Sequence, residues 1–277
     1  MKTAALIVLL FFASLPSASS CTLWSAHGDE IVRGGGTLIA KNRDWIPNHR
    51  QVLKAVAPAT GYRYFGLFAE GNDEPGLKAG INEKGLVVLS STASSVPKLL
   101  RRETERTRAL LVKLLRNCDS VDSALKDGKR FVGPRNVMLA DGKKIALVEI
   151  GLLGEHAVMV KQSGVLTQTN HYLDETLLKF NQKIGASSGR RLARIQDLLS
   201  RQARPCSLDD FIAMSADREG GPDNAIWRTG GTPAKERTLS TWIVHSPADG
   251  PPELYIKIAN PQEEERIQRL KFTELFQ

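Results

Sequence analysis

The chain has 277 residues, of which 42% are hydrophobic and 25% are charged, and it carries a net charge of +8 with a sequence pI near 9.5. This composition supports a sizeable buried core and excludes an intrinsically disordered chain. The basic residues are scattered, and their densest cluster, LLRRETERTR, is interleaved with glutamates as on a solvated helix face. The charge therefore does not indicate a nucleic-acid interface.

Residues 1–20 have the pattern of a secretory signal peptide. Lys2 precedes an apolar run at residues 4–15, and the small residues Ala18 and Ser20 follow it. The run is shorter than the roughly 20 apolar residues that a membrane-spanning helix needs. The sequence therefore predicts cleavage after Ser20 and an exported protein, periplasmic or secreted, without a stable membrane span.

Strand-like segments dominate the rest of the chain. They alternate polar and apolar residues between turn signals such as Asp141-Gly142, which is typical of antiparallel sheet. The pattern predicts strands within residues 21–27, 36–45, 63–70, 77–94, 135–151, 156–170, 238–247 and 253–260. No repeat or linker interrupts the sequence, so we expect one domain over residues 21–277.

Helical periodicity appears in five segments. It predicts helices at residues 101–117, 119–127, 188–203, 207–216 and 261–275. Ser187 or Ser188 is expected to cap the helix that contains SGRRLARIQDLL, and Ser207 the helix that follows it.

Three cysteines, Cys21, Cys118 and Cys206, make an odd count for an exported chain. Cys118 and Cys206 are candidates for a disulfide in an oxidising compartment, which would leave Cys21 unpaired. The five histidines lack metal-ligand spacing and no Cys-x-x-Cys occurs, so no metal site or cofactor is predicted. A papain-like site is disfavoured because the two internal cysteines lie in or beside polar helical segments.

Cleavage after Ser20 would give Cys21 two alternative roles. A cysteine at a mature N-terminus can act as a nucleophile whose base is its own α-amine, since that amine has a pKa of about 7.7–8.0. The alternative is a lipid-anchored binding protein in which the same cysteine is acylated. Against the anchor, Ala18 replaces the usual leucine-like residue, and Cys21 leads directly into a strand.

Asp44 ends the second predicted strand, which follows the first after a short turn. We expect Cys21 and Asp44 to come face to face on this hairpin, where the carboxylate would orient the α-ammonium. An aspartate at a strand end is also a common turn former.

Five short motifs follow one another along the chain: Cys21-Thr22, KNRDW, INEKGLVV, GVLTQTNH and SSGRRLARIQDLL. In this order they resemble the choloylglycine hydrolase, penicillin V acylase and acyl-CoA:6-aminopenicillanic acid acyltransferase group of the N-terminal nucleophile hydrolases. The segment DREGG...IWR resembles the acyltransferase-like side of that group. The resemblance implies an α+β fold, a four-layer αββα sandwich of two antiparallel sheets between helical layers.

The resemblance also implies roles for individual residues. Cys21 would be the nucleophile and, through its α-amine, the base, and Asp44 would hold that amine in register. The side-chain amide of Asn170 and the backbone amide near Thr92 would stabilise the oxyanion. Arg191 would lie near the nucleophile and lower its pKa. Asn170 also fits a strand-end turn, and Arg191 an exposed helix position.

One position departs from the family pattern. Three residues before the aspartate, Lys41 replaces the usual arginine, and Arg43 lies next to Asp44. Lysine lacks the planar fork of arginine, so the two are not equivalent. Either Lys41 substitutes directly or Arg43 replaces it from the neighbouring position.

The implied activity is hydrolysis of linear amide bonds in small N-acyl compounds through a thioester on Cys21, without a cofactor. An acyltransferase or a peptidase on the same scaffold differs only in the acceptor and in pocket shape. The sequence does not distinguish the acyl group, the amine or the oligomeric state.

Overall fold

The computed structural model describes residues 20–71, 74–104 and 109–277. The predicted signal peptide, apart from Ser20, lies outside the described residues. Within them, no helix is long and apolar enough to cross a membrane.

The described residues form thirteen strands and five α-helices. The strands are β1 Ser20–His27, β2 Thr37–Trp45, β3 His49–Val56, β4 Tyr64–Gly71, β5 Gly76–Asn82, β6 Val87–Thr92, β7 Arg135–Ala140, β8 Ile145–Ile150, β9 His156–Lys161, β10 Gly164–Gln168, β11 Arg237–Ser246, β12 Glu253–Ile258 and β13 Arg266–Lys271. The helices are α1 Lys98–Thr104, α2 Leu110–Asn117, α3 Val121–Leu125, α4 Ala186–Arg201 and α5 Leu208–Ser215.

The strands make two antiparallel sheets. Sheet 1 has the order β10-β1-β2-β11-β12-β13, and sheet 2 runs from β3 to β9 in chain order. An apolar cluster that includes Leu23, Ile39, Leu89 and Met138 fills the space between the sheets. This cluster removes the inner face of both sheets from water.

Helices cover both outer faces. Helices α4 and α5 pack on sheet 1 through an apolar stripe that includes Ile195, Leu199 and Phe211. Helices α2 and α3 pack on sheet 2 through Leu114 and its neighbours. The layers are therefore helix, sheet, sheet, helix, and the expected α+β sandwich is confirmed.

Two strands differ from the sequence prediction. The helix predicted at residues 261–275 is wrong, because this segment contains β13, which pairs with β12. The pairing extends from Ile258 opposite Arg266 to Glu253 opposite Lys271. Apolar residues three apart, Ile267 and Leu270, fit a helix equally well, but the free edge of β12 supplies backbone partners only to a strand. Strand β3, with its polar sequence HRQVLKAV, was not predicted.

One predicted cap is also wrong, and the difference matters for the site. Helix α5 begins with the expected cap, Ser207, which also forms a capping box with Asp210. Helix α4 begins at Ala186 without a side-chain cap, so Ser187 and Ser188 lie inside its first turn. Their hydroxyls are thereby free to contact residues outside the helix.

Candidate active site

The pairing of β1 with β2 fixes where each side chain points. Cys21 lies opposite Arg43, and Ser20 lies opposite Asp44. Directly opposite residues of an antiparallel pair share a face, and successive residues along a strand point to opposite faces. Cys21 therefore points between the sheets, as Leu23 does, whereas Asp44 points toward the helices, as Ala40 does. Cys21 and Asp44 were expected to face each other, but Arg43, one residue before Asp44, lies opposite Cys21.

Asn170 connects the strand of Cys21 to sheet 2. The backbone N–H of Cys21 donates to Asn170 Oδ1 at 2.9 Å, and Asn170 Nδ2 donates to the carbonyl oxygen of Thr92 at 2.9 Å. The backbone N–H of Asn170 donates to Ser188 Oγ at 3.1 Å. Two hydrogen bonds thus fix the side-chain amide of Asn170, and a third fixes its backbone N–H. The acceptor of the third is Ser188, in the uncapped first turn of α4.

Arg191 lies beneath Cys21 and is completely buried. Its Nη1 donates to the carbonyl oxygen of Cys21 and to Thr22 Oγ1, both at 2.8 Å. Its Nη2 donates to Asn170 Oδ1 at 3.0 Å, and its Nε to Ser187 Oγ at 3.3 Å. The planar fork therefore holds β1, Asn170 and α4 in one arrangement.

Asp44 is buried among cations on the helix side of sheet 1. Thr238 Oγ1 donates to its Oδ1 at 2.8 Å, while Arg228 Nη1 and Arg191 Nη1 lie 3.6 Å and 4.0 Å from its Oδ2. Burial raises the pKa of Asp44, and the positive charges of Arg228 and Arg191 oppose this effect. Arg228 also pairs with Glu236 at 2.7 Å.

Arg228 and Thr238 were not predicted as site residues. Arg228 lies in the segment DREGG...IWR, which carried part of the family resemblance, so a signal for it was present. Thr238 reaches Asp44 at an irregularity in β11, where the pairing shifts between Thr238 and Ser240. No sequence pattern marks this position.

Arg43, and not Lys41, contacts the thiol. Arg43 Nη1 donates to Cys21 Sγ at 3.8 Å and to the carbonyl oxygen of Asp44 at 3.0 Å. The guanidinium carbon lies 4.3 Å from the centre of the Trp45 ring, which in turn stacks on His49 at 4.9 Å. These contacts fix a cation beside Sγ.

Lys41 has a different set of partners. Its Nζ donates to the carbonyl oxygens of Lys78 and Ser90, at 2.8 Å and 2.5 Å. Strands β5 and β6 separate beyond the pair Ala79 and Leu89, so these two carbonyls lie just past the end of the ladder. Burial lowers the pKa of Lys41 to about 8. Lys41 is thus a buried link from sheet 1 to sheet 2.

All three cysteines are free thiols. Cys118 packs under the helices of sheet 2, and Cys206 under the helices of sheet 1. Both sheets lie between them, so the candidate disulfide does not form. Burial raises the pKa of both thiols. Among the described residues, no group of three or more His, Cys, Asp or Glu side chains is arranged to hold a metal ion.

The sequence profile of the acyl-coenzyme A:6-aminopenicillanic acid acyl-transferase family matches residues 32–262. The chain belongs to this family. The resemblance to the N-terminal nucleophile hydrolases is thereby confirmed, and it supports an enzyme of the amide-bond hydrolase or acyltransferase type. No curated protein sequence matches the chain.

Solved structures of low identity share the fold. Penicillin V acylase from Agrobacterium tumefaciens aligns over 92% of this chain and 87% of its own, with 15% identity and a TM-score of 0.53. A variant of conjugated bile acid hydrolase from Clostridium perfringens aligns over 93% and 94%, with 16% identity and a TM-score of 0.56. The N-acylethanolamine-hydrolyzing acid amidase ortholog of Caenorhabditis elegans aligns over 83% and 94%, with 12% identity and a TM-score of 0.59.

Proposed function

We propose that the protein is an exported enzyme that hydrolyses linear carbon–nitrogen amide bonds in small N-acyl compounds through a thioester on Cys21. One observation carries the proposal: the backbone nitrogen of Cys21 and the guanidinium of Arg191 converge on Asn170 Oδ1, at 2.9 Å and 3.0 Å. The structurally similar proteins are named an acylase, a hydrolase and an amidase, which supports an amide as substrate.

Removal of the residues before Cys21 would create the base. Ser20 lies opposite Asp44, whose Oδ2 has no hydrogen-bond donor among the described residues. Cleavage after Ser20 would leave the α-amine of Cys21 at this end of β1, next to the position that Ser20 had occupied. Asp44 would then stabilise the protonated amine, which is the form that exists between the two proton transfers.

The first half of the reaction forms the thioester. The α-amine takes the proton of the thiol as Sγ bonds to the carbonyl carbon of the substrate, and the oxygen becomes an oxyanion. Asn170 Nδ2 carries two hydrogens, of which one goes to Thr92, so the other is available to the oxyanion. We propose the backbone N–H near Thr92 as the second donor. When the carbon–nitrogen bond breaks, the leaving amine receives the proton from the α-ammonium.

The second half returns the free enzyme. Water loses a proton to the α-amine and attacks the thioester, which releases the acid and regenerates the thiol. Arg43, 3.8 Å from Sγ, would stabilise the thiolate in both halves. If an amine attacks in place of water, the same site is an acyltransferase, and the acyl-transferase name of the matching family supports keeping this second candidate. A peptidase would use the same steps on a peptide bond.

The first experiment tests the N-terminus. The secreted chain is analysed by intact mass and N-terminal sequencing, before and after treatment with a thiol-directed electrophile. We expect an unmodified Cys21 at the start and rapid addition of one equivalent there, also in Cys118→Ala and Cys206→Ala. An acylated Cys21 would indicate the lipid-anchored binding protein instead. A chain in which Cys21 is still joined to Ser20 has no α-amine base and would contradict the mechanism.

A second experiment separates hydrolase from transferase. The enzyme is given an N-acyl amide with and without a high concentration of a second amine, and the products are identified by mass. Free acid in both reactions indicates hydrolysis. A new amide that replaces the free acid indicates transfer. Cys21→Ala is expected to abolish both products.

A further inference from the structure

Strand β9 is an exposed apolar edge of sheet 2. Among the described strands it pairs only with β8, and Val158, Met159 and Val160 are 45%, 50% and 45% exposed. Exposed edge strands normally carry charged residues that prevent pairing with another chain. Strand β13, the outer strand of sheet 1, follows this rule with exposed Arg266 and Arg269. Strand β9 does not follow it.

The backbone groups of every second residue in β9 point away from β8. The N–H of Gly151 donates to the carbonyl oxygen of Glu155 at 2.7 Å, so the odd-numbered residues of β9 bond to β8. In an antiparallel pair, such residues alternate with residues whose N–H and C=O groups point outward. His156, Val158 and Val160 therefore present these groups at the outer edge, where they can accept a further antiparallel strand.

The apolar side chains of β9 lie on both faces of sheet 2. Met159 lies opposite Leu147, which packs between the sheets. Val158 lies opposite Val148, which packs toward the helices, and Val160 shares its face. A partner that covered one face would leave the other exposed. An added strand contacts the side chains on both faces.

The charges at the two ends of β9 fit a second copy of the same strand. Residues 156–160, HAVMV, contain no Asp, Glu, Lys or Arg, whereas Glu155 precedes them and Lys161 follows them. When two copies pair antiparallel with Val158 opposite Val158, Glu155 of each copy lies opposite Lys161 of the other. Directly opposite residues share a face, so the two charges can meet. This happens twice, once at each end of the paired strands.

The same charges select this register over its neighbour. Pairing centred on Met159 would also join outward backbone groups, but it would place Lys161 opposite Ala157 and Glu155 opposite Ser163. Within its own chain, Glu155 lies 3.7 Å from Lys179, and its side chain is 39% exposed. It can therefore accept a second cation.

We propose that β9 pairs with β9 of a second copy of this chain, with Val158 at the two-fold axis. The two seven-stranded sheets would become one sheet of fourteen strands. Val158 would exchange both backbone hydrogen bonds with its counterpart, and His156 would do so with Val160 of the other copy. A contact of this kind is closed after two copies and leaves no edge at β9. It does not depend on the function proposed for Cys21.

Sedimentation equilibrium of the purified protein tests the dimer. We expect twice the chain mass for the wild type. Val158→Lys should raise the dimer Kd by at least about 100-fold, because two like charges would face each other across the axis. Ile267→Lys is the matched control, since Ile267 is 58% exposed on β13, and should leave the Kd unchanged. A monomeric wild type, or equal effects of the two variants, would overturn the proposal.

A charge exchange tests the register. Glu155→Lys and Lys161→Glu each place like charges opposite one another, and each should raise the Kd by about tenfold. The double variant restores opposite charges and should return the Kd close to that of the wild type. A double variant that is weaker than both single variants would contradict the pairing of these two residues.

Cysteine cross-linking measures the register directly. In Val158→Cys the two new cysteines would lie opposite each other, with Cα atoms about 5.5 Å apart, which is within disulfide range. In Val160→Cys they would be four positions apart along the strands, about 13 Å, which is too far. Under mild oxidation we expect Val158→Cys to link at least about tenfold faster. Equal rates, or faster linking in Val160→Cys, would exclude this register. The three native cysteines are buried and common to both variants.

Discussion

The backbone nitrogen of Cys21 and the side-chain oxygen of Asn170 lie 2.9 Å apart, although 149 positions separate the two residues in the chain. The same oxygen accepts from Arg191, and the same amide donates to Thr92. Asn170 is therefore the point at which the first strand, the helix α4 and sheet 2 meet. Replacement of Asn170 should lower catalytic activity more than stability, because each of its hydrogen-bond partners has other contacts.

Asn170→Ala is expected to lower kcat/KM for an N-acyl amide by at least about 100-fold, since the change removes an oxyanion donor. Asn117→Ala is the matched control, because Asn117 is exposed at the end of α2. Steady-state kinetics and urea unfolding should be measured on both variants. A loss of activity that only follows a loss of stability would contradict the assigned role.

Arg191→Lys should lower the free energy of unfolding by about 3 kcal/mol, because lysine keeps the charge but cannot make all four hydrogen bonds of the buried fork. Arg190→Lys provides a control one position away, where the side chain is exposed. Urea unfolding measures both. Equal stabilities of the two variants would show that charge alone matters at Arg191.

Lys41 makes stability depend on alkaline pH. Its pKa is about 8 in the folded state, against about 10.4 in an unfolded chain. Between these values the unfolded state binds more protons, so this group makes the free energy of unfolding rise with pH by up to about 1.4 kcal/mol per unit. Lys41→Met should have a flatter profile and lower stability, because the Lys78 and Ser90 carbonyls lose their donor.

The measurement is urea unfolding from pH 7.5 to 10. Lys143→Met is the control, because Lys143 is exposed in the turn between β7 and β8. The wild type and the control should gain stability over this range more steeply than Lys41→Met. Parallel profiles for all three proteins would exclude Lys41 as the titrating group.

Stability should not depend on a reductant. A disulfide typically contributes about 2–4 kcal/mol, and Cys118 and Cys206 lie on opposite outer faces. Unfolding curves with and without dithiothreitol should therefore coincide. A shift of about 2 kcal/mol or more would indicate a covalent link that this fold does not allow.

The sequence predicted which residues form the site better than it predicted how those residues are arranged. The order of the family motifs predicted that residues from Cys21 to Arg191 would lie together, and the family resemblance also predicted the four layers. The register of the first hairpin was not predictable, because the loop at residues 28–36 contains several glycines with positive φ and sets no fixed turn. Asp44 consequently faces the helices, and Arg43, one residue away, reaches the thiol.

A bulge accounts for another difference. Thr238 reaches Asp44 because β11 contains one residue more than β2 at this point. Such an insertion cannot be recognised from the alternation of apolar and polar residues until the partner strand is known. The strand β13 escaped prediction for a related reason, since its identity depends on the edge of β12 and not on its own residues.

The position of Asp44 has a consequence for the order in which the molecule is assembled. The β1–β2 hairpin is synthesised first, but the two guanidinium groups beside Asp44 belong to Arg191 and Arg228, far downstream. Until those residues are synthesised, the carboxylate lacks both guanidinium groups, and burying it without them would cost several kcal/mol. The hairpin that contains the nucleophile is therefore made early and buried late, which delays a working site until nearly the whole chain exists.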